Sequence, residues 1–185
     1  IQGYGENVTV SLYRSPQDFD DFRCEKQGYA DFVQKPNEAL RYYSENLGVT
    51  YVFRFNDKAL GFVTLAMSAL QRRQLSKERK EQKPFRDVPS LLLGHMARDK
   101  SLKGQGTGKI MIDWVLSKAL ELADKVGCRF VIVDSEKDVV ERYRKHGFEM
   151  IPPCKSAKTC LMFFDLGIRA GIPVQRGEGT SRPSG

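Results

Sequence analysis

A chain of 185 residues, 41% hydrophobic and 29% charged, is long enough for one well-buried domain and too short for two of ordinary size. No apolar run approaches the roughly 20 residues of a membrane-spanning helix, and the N-terminal IQGYGENVTV does not read as a targeting peptide, so a cytoplasmic setting is expected. The formal net charge of +7 points to an anionic partner without naming it.

Val8 to Arg14 alternates apolar and polar residues, the period of a half-buried strand, and Ser15-Pro16 breaks it. From Asp18 to Asn46 the pattern is helical and divided at Gly28 and Pro36. The segment from Asn37 is the stronger, because Leu40 and Tyr43 share a face, and Leu47-Gly48 ends it. Val49 to Phe55 and Leu60 to Met67 are β-branched and aromatic runs joined by Asn56-Asp57-Lys58-Ala59, which reads as a hairpin turn. Residues 72–86 form a basic insertion with a local balance of about +4. A solvated loop or short exposed helix is the simplest account of it.

Leu91 to Leu93 read as a strand, Lys103 to Lys109 as a glycine-dense loop, and the residues from Ile110 as a helix that ends at Gly127. Arg129 to Asp134 is a continuous apolar strand. A strand, helix, strand passage of this kind is a right-handed crossover, so its two strands should be parallel. Asp134-Ser135 suits a helix cap, with Val139, Val140 and Tyr143 on one side of a helix over residues 136–146 that stops at Gly147. Phe148 to Ile151 and Thr159 to Leu166 supply closing strands. The expected fold is α/β (α+β): a mixed, mostly antiparallel sheet with a parallel central pair and helices on both faces, over residues 1–166. The Gly, Arg, Pro and Ser of residues 167–185 predict a mobile tail. Cys24, Cys128, Cys154 and Cys160 contain no Cys-x-x-Cys pair, and only His95 and His146 accompany them, so free thiols and no metal site are expected.

The loop Lys103-Gly104-Gln105-Gly106-Thr107-Gly108-Lys109 carries the chemistry. Residues without a Cβ let several backbone N–H groups turn toward one point, and the helix that follows adds its free N–H groups and positive dipole end. That is a phosphate cradle. A Walker A loop fails at Lys103 and Ile110, and a dinucleotide Gly-x-Gly-x-x-Gly fails at Lys109 or Met111. The pattern Lys103-x-x-Gly106-x-Gly108 instead resembles the Arg/Gln-x-x-Gly-x-Gly/Ala signature of the GNAT superfamily of N-acetyltransferases. Lysine at its first position keeps the charge and loses the guanidinium fork. Tyr143-x-x-x-Gly147-Phe148 is similar to the superfamily's Tyr-x-x-x-Gly-Phe, and Glu136 stands where many relatives have Asn. Leu93 to Leu102, Phe22-x-Cys24 and Leu60-Gly61-Phe62 further resemble GNAT toxins that acetylate the α-amine of aminoacyl-tRNA, with His95 where those toxins often carry Arg.

The resemblance implies acetyl-CoA as cosubstrate. Its pantetheine arm would lie along Met96, Ala97 and Arg98, with a backbone N–H there as oxyanion donor, and its pyrophosphate on the amides from Lys103 to Lys109. Tyr143 would protonate the departing thiolate, since a phenol titrates near a thiol's range. No general base stands out: His95 has a suitable pKa, and Glu136, Asp99 or an ordered water are no better supported. For the acceptor, the α-amine of aminoacyl-tRNA leads, followed by peptide or protein amines and small amines. The resemblance also admits a homodimer and an antitoxin-like protein partner. A module that holds CoA or RNA without turnover is the alternative from another class.

Overall fold

Strands β1 (Thr9–Leu12), β2 (Val49–Phe55), β3 (Lys58–Gln71), β4 (Asp87–Arg98), β5 (Phe130–Glu136), β6 (Glu149–Met150) and β7 (Thr159–Asp165) make one sheet in the order β1-β2-β3-β4-β5-β7-β6. The structure is a computed structural model that describes residues 7–35, 38–81, 86–152 and 158–167. All neighbouring strands are antiparallel except β4 and β5. The expected mixed sheet with its parallel central pair is the fold observed.

Alternation along the strands sorts the apolar residues onto two faces. Val52 and Phe62 pack under α1 (Gln27–Gln34) and α2 (Glu38–Ser44), together with Phe19, Phe22 and Phe32. Phe53 and Val63, one step along, pack under α4 (Thr107–Lys125) with Met111, Val115 and Ala119. Each such side chain, fully buried, contributes about 1.5–3 kcal/mol. Helices therefore cover both faces, and the sheet is the shared wall.

Local chemistry explains most boundaries. Asn56 and Asp57 hold φ of 47° and 63°, the left-handed pair that a two-residue hairpin turn requires, so Phe55 pairs directly with Lys58. The turn is thus shorter than the sequence suggested, and β3 starts at Lys58 and runs on to Gln71. Gly28 does not divide a helix. It sits inside α1, where nothing lies within 4 Å of the position a Cβ would take, and Ala30, Phe32 and Val33 anchor the helix by burial. The basic segment folds as a 3-10 turn (Arg72–Gln74) and α3 (Lys77–Glu81). Pro36, Cys154 and the tail beyond Gly167 lie outside the described residues.

The largest departure concerns Asp134 to Glu136. These residues do not cap or begin a helix, because they remain in β5, paired with Leu161, Cys160 and Thr159 of β7. The helix that follows, α5 (Val140–Arg144), is accordingly only 5 residues long.

The parallel pair matters most for the site. It extends only from Ser90–Phe130 to Leu92–Ile132. Just beyond, Thr64 pairs with His95 while Leu65 pairs with Leu93, which leaves Gly94 as an extra residue in β4. A bulge of this kind bends its strand and raises its twist. β4 then leans toward β3, β5 stays with β7, and the sheet opens between them.

Candidate functional site

The opening between β4 and β5 is a cavity of about 580 Å3. Leu93, Met96 and Ala97 line one side and Val133 to Glu136 the other, with the glycine loop and the start of α4 at one end and Tyr143 of α5 among the lining residues. Because β4 has no partner on this edge after Leu92, alternate backbone N–H and C=O groups from Leu93 to Arg98 face the cleft. They are hydrogen-bonding groups awaiting a ligand.

The segment that leads into α1 closes a third side. Asp99, 4% exposed, holds it in place: Oδ2 accepts from the Arg23 amide at 2.9 Å, and Oδ1 accepts from the Ser101 amide at 2.9 Å. Lys100 N–H donates to Arg23 C=O at 2.6 Å beside them. Burial alone would raise the Asp99 carboxyl, but the bonds from Ser101 and Arg23 outweigh it and hold it below the usual range. Cys24, Glu25, Lys26 and Tyr29 thereby reach the cavity. Lys26 forms an ion pair with Glu136 and lies 3.4 Å from Asp138, while the Tyr29 hydroxyl donates to Glu136 at 3.4 Å.

The cradle has the geometry its composition implied. Gly104 and Gly106 have φ of 79° and 76°, and Gly106 is the N-cap of α4 with no side chain accepting from the first turn. The amides of Gly104, Gly106, Thr107 and Gly108 have no acceptor among the described residues. A Cβ at Gly104 or Gly108 would meet nothing within 4 Å, so the loop is open on that side at both positions. N–H groups without acceptors at the positive end of a 19-residue helix are the elements from which an anion site can be built. Lys103 and Lys109 flank it, Lys103 paired with Glu25 at 2.8 Å and Lys109 with Asp113 at 2.5 Å.

Tyr143 is 6% exposed and packs edge-on against Phe148, with ring centroids 5.3 Å apart. Its hydroxyl has no hydrogen-bond partner among the described residues, although the residue lines the cavity. Burial, and to a smaller extent the nearby Tyr29, raise its pKa well above that of a free phenol. It is a protonated group facing an open space.

Of the residues singled out from sequence, Met96, Ala97, Arg98, Lys103, Gly104, Gly106, Thr107, Gly108, Lys109 and Tyr143 all line this one cavity. Gln105 is absent from the lining, and its side chain folds back onto Ser101 C=O at 3.2 Å. His95 lies on the α1 side of the sheet, stacked on Phe32 at 4.1 Å, with Nδ1 buried and unpartnered. It is not among the residues that line the cavity. Asp99 is held by the hydrogen bonds just described. Cys24, Cys128 and Cys160 are free thiols, and among the described residues no cluster of His, Cys, Asp or Glu could hold a metal ion. No described helix is long and apolar enough to cross a membrane.

No protein-family model matches the sequence, and no curated protein matches it. Solved structures do share its fold. A Tyr-to-Phe mutant of KacT superposes with a TM-score of 0.77 at 22% identity, covering 87% of this chain and 96% of that one. AtaT complexed with acetyl-methionyl-tRNAfMet gives 0.75 at 23% identity, covering 85% and 94%. AtaTR bound with AcCoA gives 0.69 at 24% identity, covering 87% and 95%. The likeness runs along nearly the full length of each, so the overall fold is shared.

Proposed function

We propose that this chain is an acetyl-CoA-dependent N-acetyltransferase whose acceptor is the α-amine of aminoacyl-tRNA. The observation that carries the reading is the parting of β4 from β5 after Leu92, which puts the free amides of the glycine loop and the buried Tyr143 hydroxyl on one cavity. The cavity's size, its free anion site and its exposed strand edge suit a long thioester with a pyrophosphate, and acetyl-CoA supplies the activated acyl carbon.

The chain's own groups then divide the work. The amides of Gly104, Gly106, Thr107 and Gly108 bind the pyrophosphate, and the cleft-facing backbone of Met96 to Arg98 aligns the arm and donates an N–H to the carbonyl oxygen as it gains charge. The acceptor nitrogen bonds to the acyl carbon, the carbon–sulfur bond breaks, and Tyr143 Oη delivers a proton to the sulfur while the amine gives one up to water, from which Tyr143 is reprotonated. The raised pKa keeps that proton on Tyr143 at neutral pH.

For the acceptor, support comes from the +7 charge and from the AtaT complex with acetyl-methionyl-tRNAfMet. AtaT also binds the C-terminus of the antitoxin AtaR, which extends the proposal to a protein partner for this chain. The test is incubation with labelled acetyl-CoA and a panel of aminoacyl-tRNAs, peptides and polyamines. Label on aminoacyl-tRNA is the expected result. Label on peptides alone would replace the acceptor and leave the transferase standing, whereas CoA binding with no transfer to any amine would leave a binding module.

A further inference from the structure

Around Tyr29 the wall of the cavity is acidic. Asp134 and Glu136, two residues apart in β5, line the cavity together with Asp138. Lys26 is divided between two of these carboxylates: it forms an ion pair with Glu136 and lies 3.4 Å from Asp138. The Tyr29 hydroxyl donates to Glu136 at 3.4 Å, and its ring is braced edge-on against His95, with centroids 6.0 Å apart. Burial first, then Asp138, Cys24 and Asp134, raise the Tyr29 pKa above that of a free phenol. It therefore keeps its proton, which it gives to Glu136, and its oxygen is left to accept from another donor. Tyr29 is also close enough to Tyr143 to add to the effect of burial on that phenol. The Tyr143 hydroxyl belongs to a residue 6% exposed, has no partner among the described residues and opens on the same cavity.

We infer that Tyr29 and Glu136 form the docking point for the ammonium group of the acceptor, the place that the Lys26 ammonium holds in this structure. The inference rests on the transferase reading above and adds to it the site where the acceptor nitrogen binds. Lys26 is itself a primary ammonium, so its pairing displays the chemistry that Glu136 accepts, and a substrate ammonium makes the same charge-assisted bonds. Asp138 gives Lys26 a second partner to move to when the substrate arrives. One N–H bond of the bound ammonium then breaks, its proton goes to the Glu136 carboxylate, and the nitrogen keeps the electron pair. The neutral amine stays hydrogen-bonded to Tyr29 Oη and is aimed at the acyl carbon whose sulfur Tyr143 protonates. Glu136, with a side chain 34% exposed, returns its proton to solvent. Its second excess proton leaves the nitrogen once the new bond has formed, as described above. A nitrogen that carries no charge has no ionic hold at this point, so the site selects charged amines.

The test measures binding without turnover. Fluorescence anisotropy, with CoA in place of acetyl-CoA, compares labelled aminoacyl-tRNA with hydroxyacyl-tRNA, the same molecule bearing –OH in place of the α-ammonium. The wild type should bind the aminoacyl form about tenfold more tightly, and Glu136→Gln should abolish that preference, as expected for one charge-assisted contact. Changes in the general attraction between protein and polyanion act on both tRNAs alike and cancel in the ratio. Lys26→Met should widen the preference, because it removes the internal competitor. Tyr29→Phe keeps the ring on His95; it should narrow the preference by about threefold and lower kcat, with acetyl-CoA affinity by calorimetry unchanged, which also reports that the variant is folded. If transfer labels a peptide alone, the same comparison runs with that peptide and its N-terminal hydroxy analogue. A wild type without the preference, or a Glu136→Gln variant that retains it, would overturn the proposal. So would a preference that narrows in Lys26→Met, since Lys26 would then be the residue that meets the acceptor. Failure of acetyl transfer to every amine, with the preference intact, would count against the enzyme reading alone.

Discussion

The Glu25 carboxylate stands 2.8 Å from the Lys103 ammonium and 3.7 Å from the Arg98 guanidinium, so two cations at the mouth of the glycine loop share one internal anion. The hydrogen bond from Lys103 is the largest of the effects that hold the Glu25 carboxyl below its ordinary value. An incoming pyrophosphate competes with that carboxylate for the same positive charge. Glu25→Gln should therefore tighten acetyl-CoA binding by about three- to tenfold at low ionic strength, with the gain fading as salt screens the site. Calorimetry at two salt concentrations checks this. Weaker binding in the variant would mean that Glu25 steers Lys103 into place and does not compete.

Gly108 is the position at which the cradle is most cleanly blocked. Gly106 has φ of 76°, so a side chain there strains the backbone before any ligand arrives. Gly108 has no such restriction, and a Cβ there would enter open space beside the loop. Gly108→Val should leave the far-ultraviolet circular dichroism unaltered and weaken acetyl-CoA binding by about tenfold or more. Normal affinity would remove the pyrophosphate from this loop.

Tyr143→Phe takes away one oxygen and leaves the ring on Phe148 in place. Acetyl-CoA affinity should hold while kcat falls by about 10²-fold or more, the loss expected for a positioned acid. Burial also raises the pKa of this phenol above the ordinary ~10, so ionisation of the acid should cause no fall in kcat up to about pH 10. An alkaline limb centred near pH 8 would assign proton donation to another group.

His95 gives a pH dependence of stability that is separate from turnover. Burial lowers its pKa below the ordinary imidazole value of about 6.5, with Glu38 opposing. The unfolded chain therefore takes up a proton more readily than the folded one, so stability is present above about pH 6.5 and is lost as the pH falls through that value. His95→Phe keeps the stack on Phe32 and removes the buried, unpartnered Nδ1. It should unfold at equal or higher urea concentration than the wild type, with a flatter profile between about pH 7 and 5. Acetyl transfer should be retained. A loss of activity of about 10²-fold with unaltered stability would restore His95 to the chemistry.

Local features of the site were legible in the sequence because their chemistry is local. The glycine loop and the Tyr143 to Phe148 segment each specify their conformation within a few residues. The parallel pair followed from the handedness of crossovers. Long-range pairing decided what could not be read. Asp134 to Glu136 have the composition of a helix start, yet β7, more than 20 residues onward, keeps them extended. Likewise, Cys24 to Tyr29 look like the beginning of an amphipathic helix. Their place at the cavity depends on Asp99, 76 residues away from Arg23. His95 alternates correctly for a strand, but which face it takes depends on the bulge at Gly94, and a one-residue slip exchanges the two faces.

The short join between β4 and β5 also sets an order of assembly. β1 to β4 close largely through antiparallel neighbours, β5 and β7 do the same, and among the described residues the only ladder between the halves is the run from Ser90–Phe130 to Leu92–Ile132, bridged by the whole of α4. Contacts made between distant parts of a chain form late, after the closer ones have been established. In pulsed hydrogen exchange during refolding, ladder amides between β2 and β3 should gain protection before those of Leu91 and Ile132. A chain halted at that stage has both halves of its sheet and no cavity, so the capacity to bind its cosubstrate would be the final property acquired on refolding. Acetyl-CoA added early should then leave the β2–β3 phase unaltered and slow only the later loss of the native state.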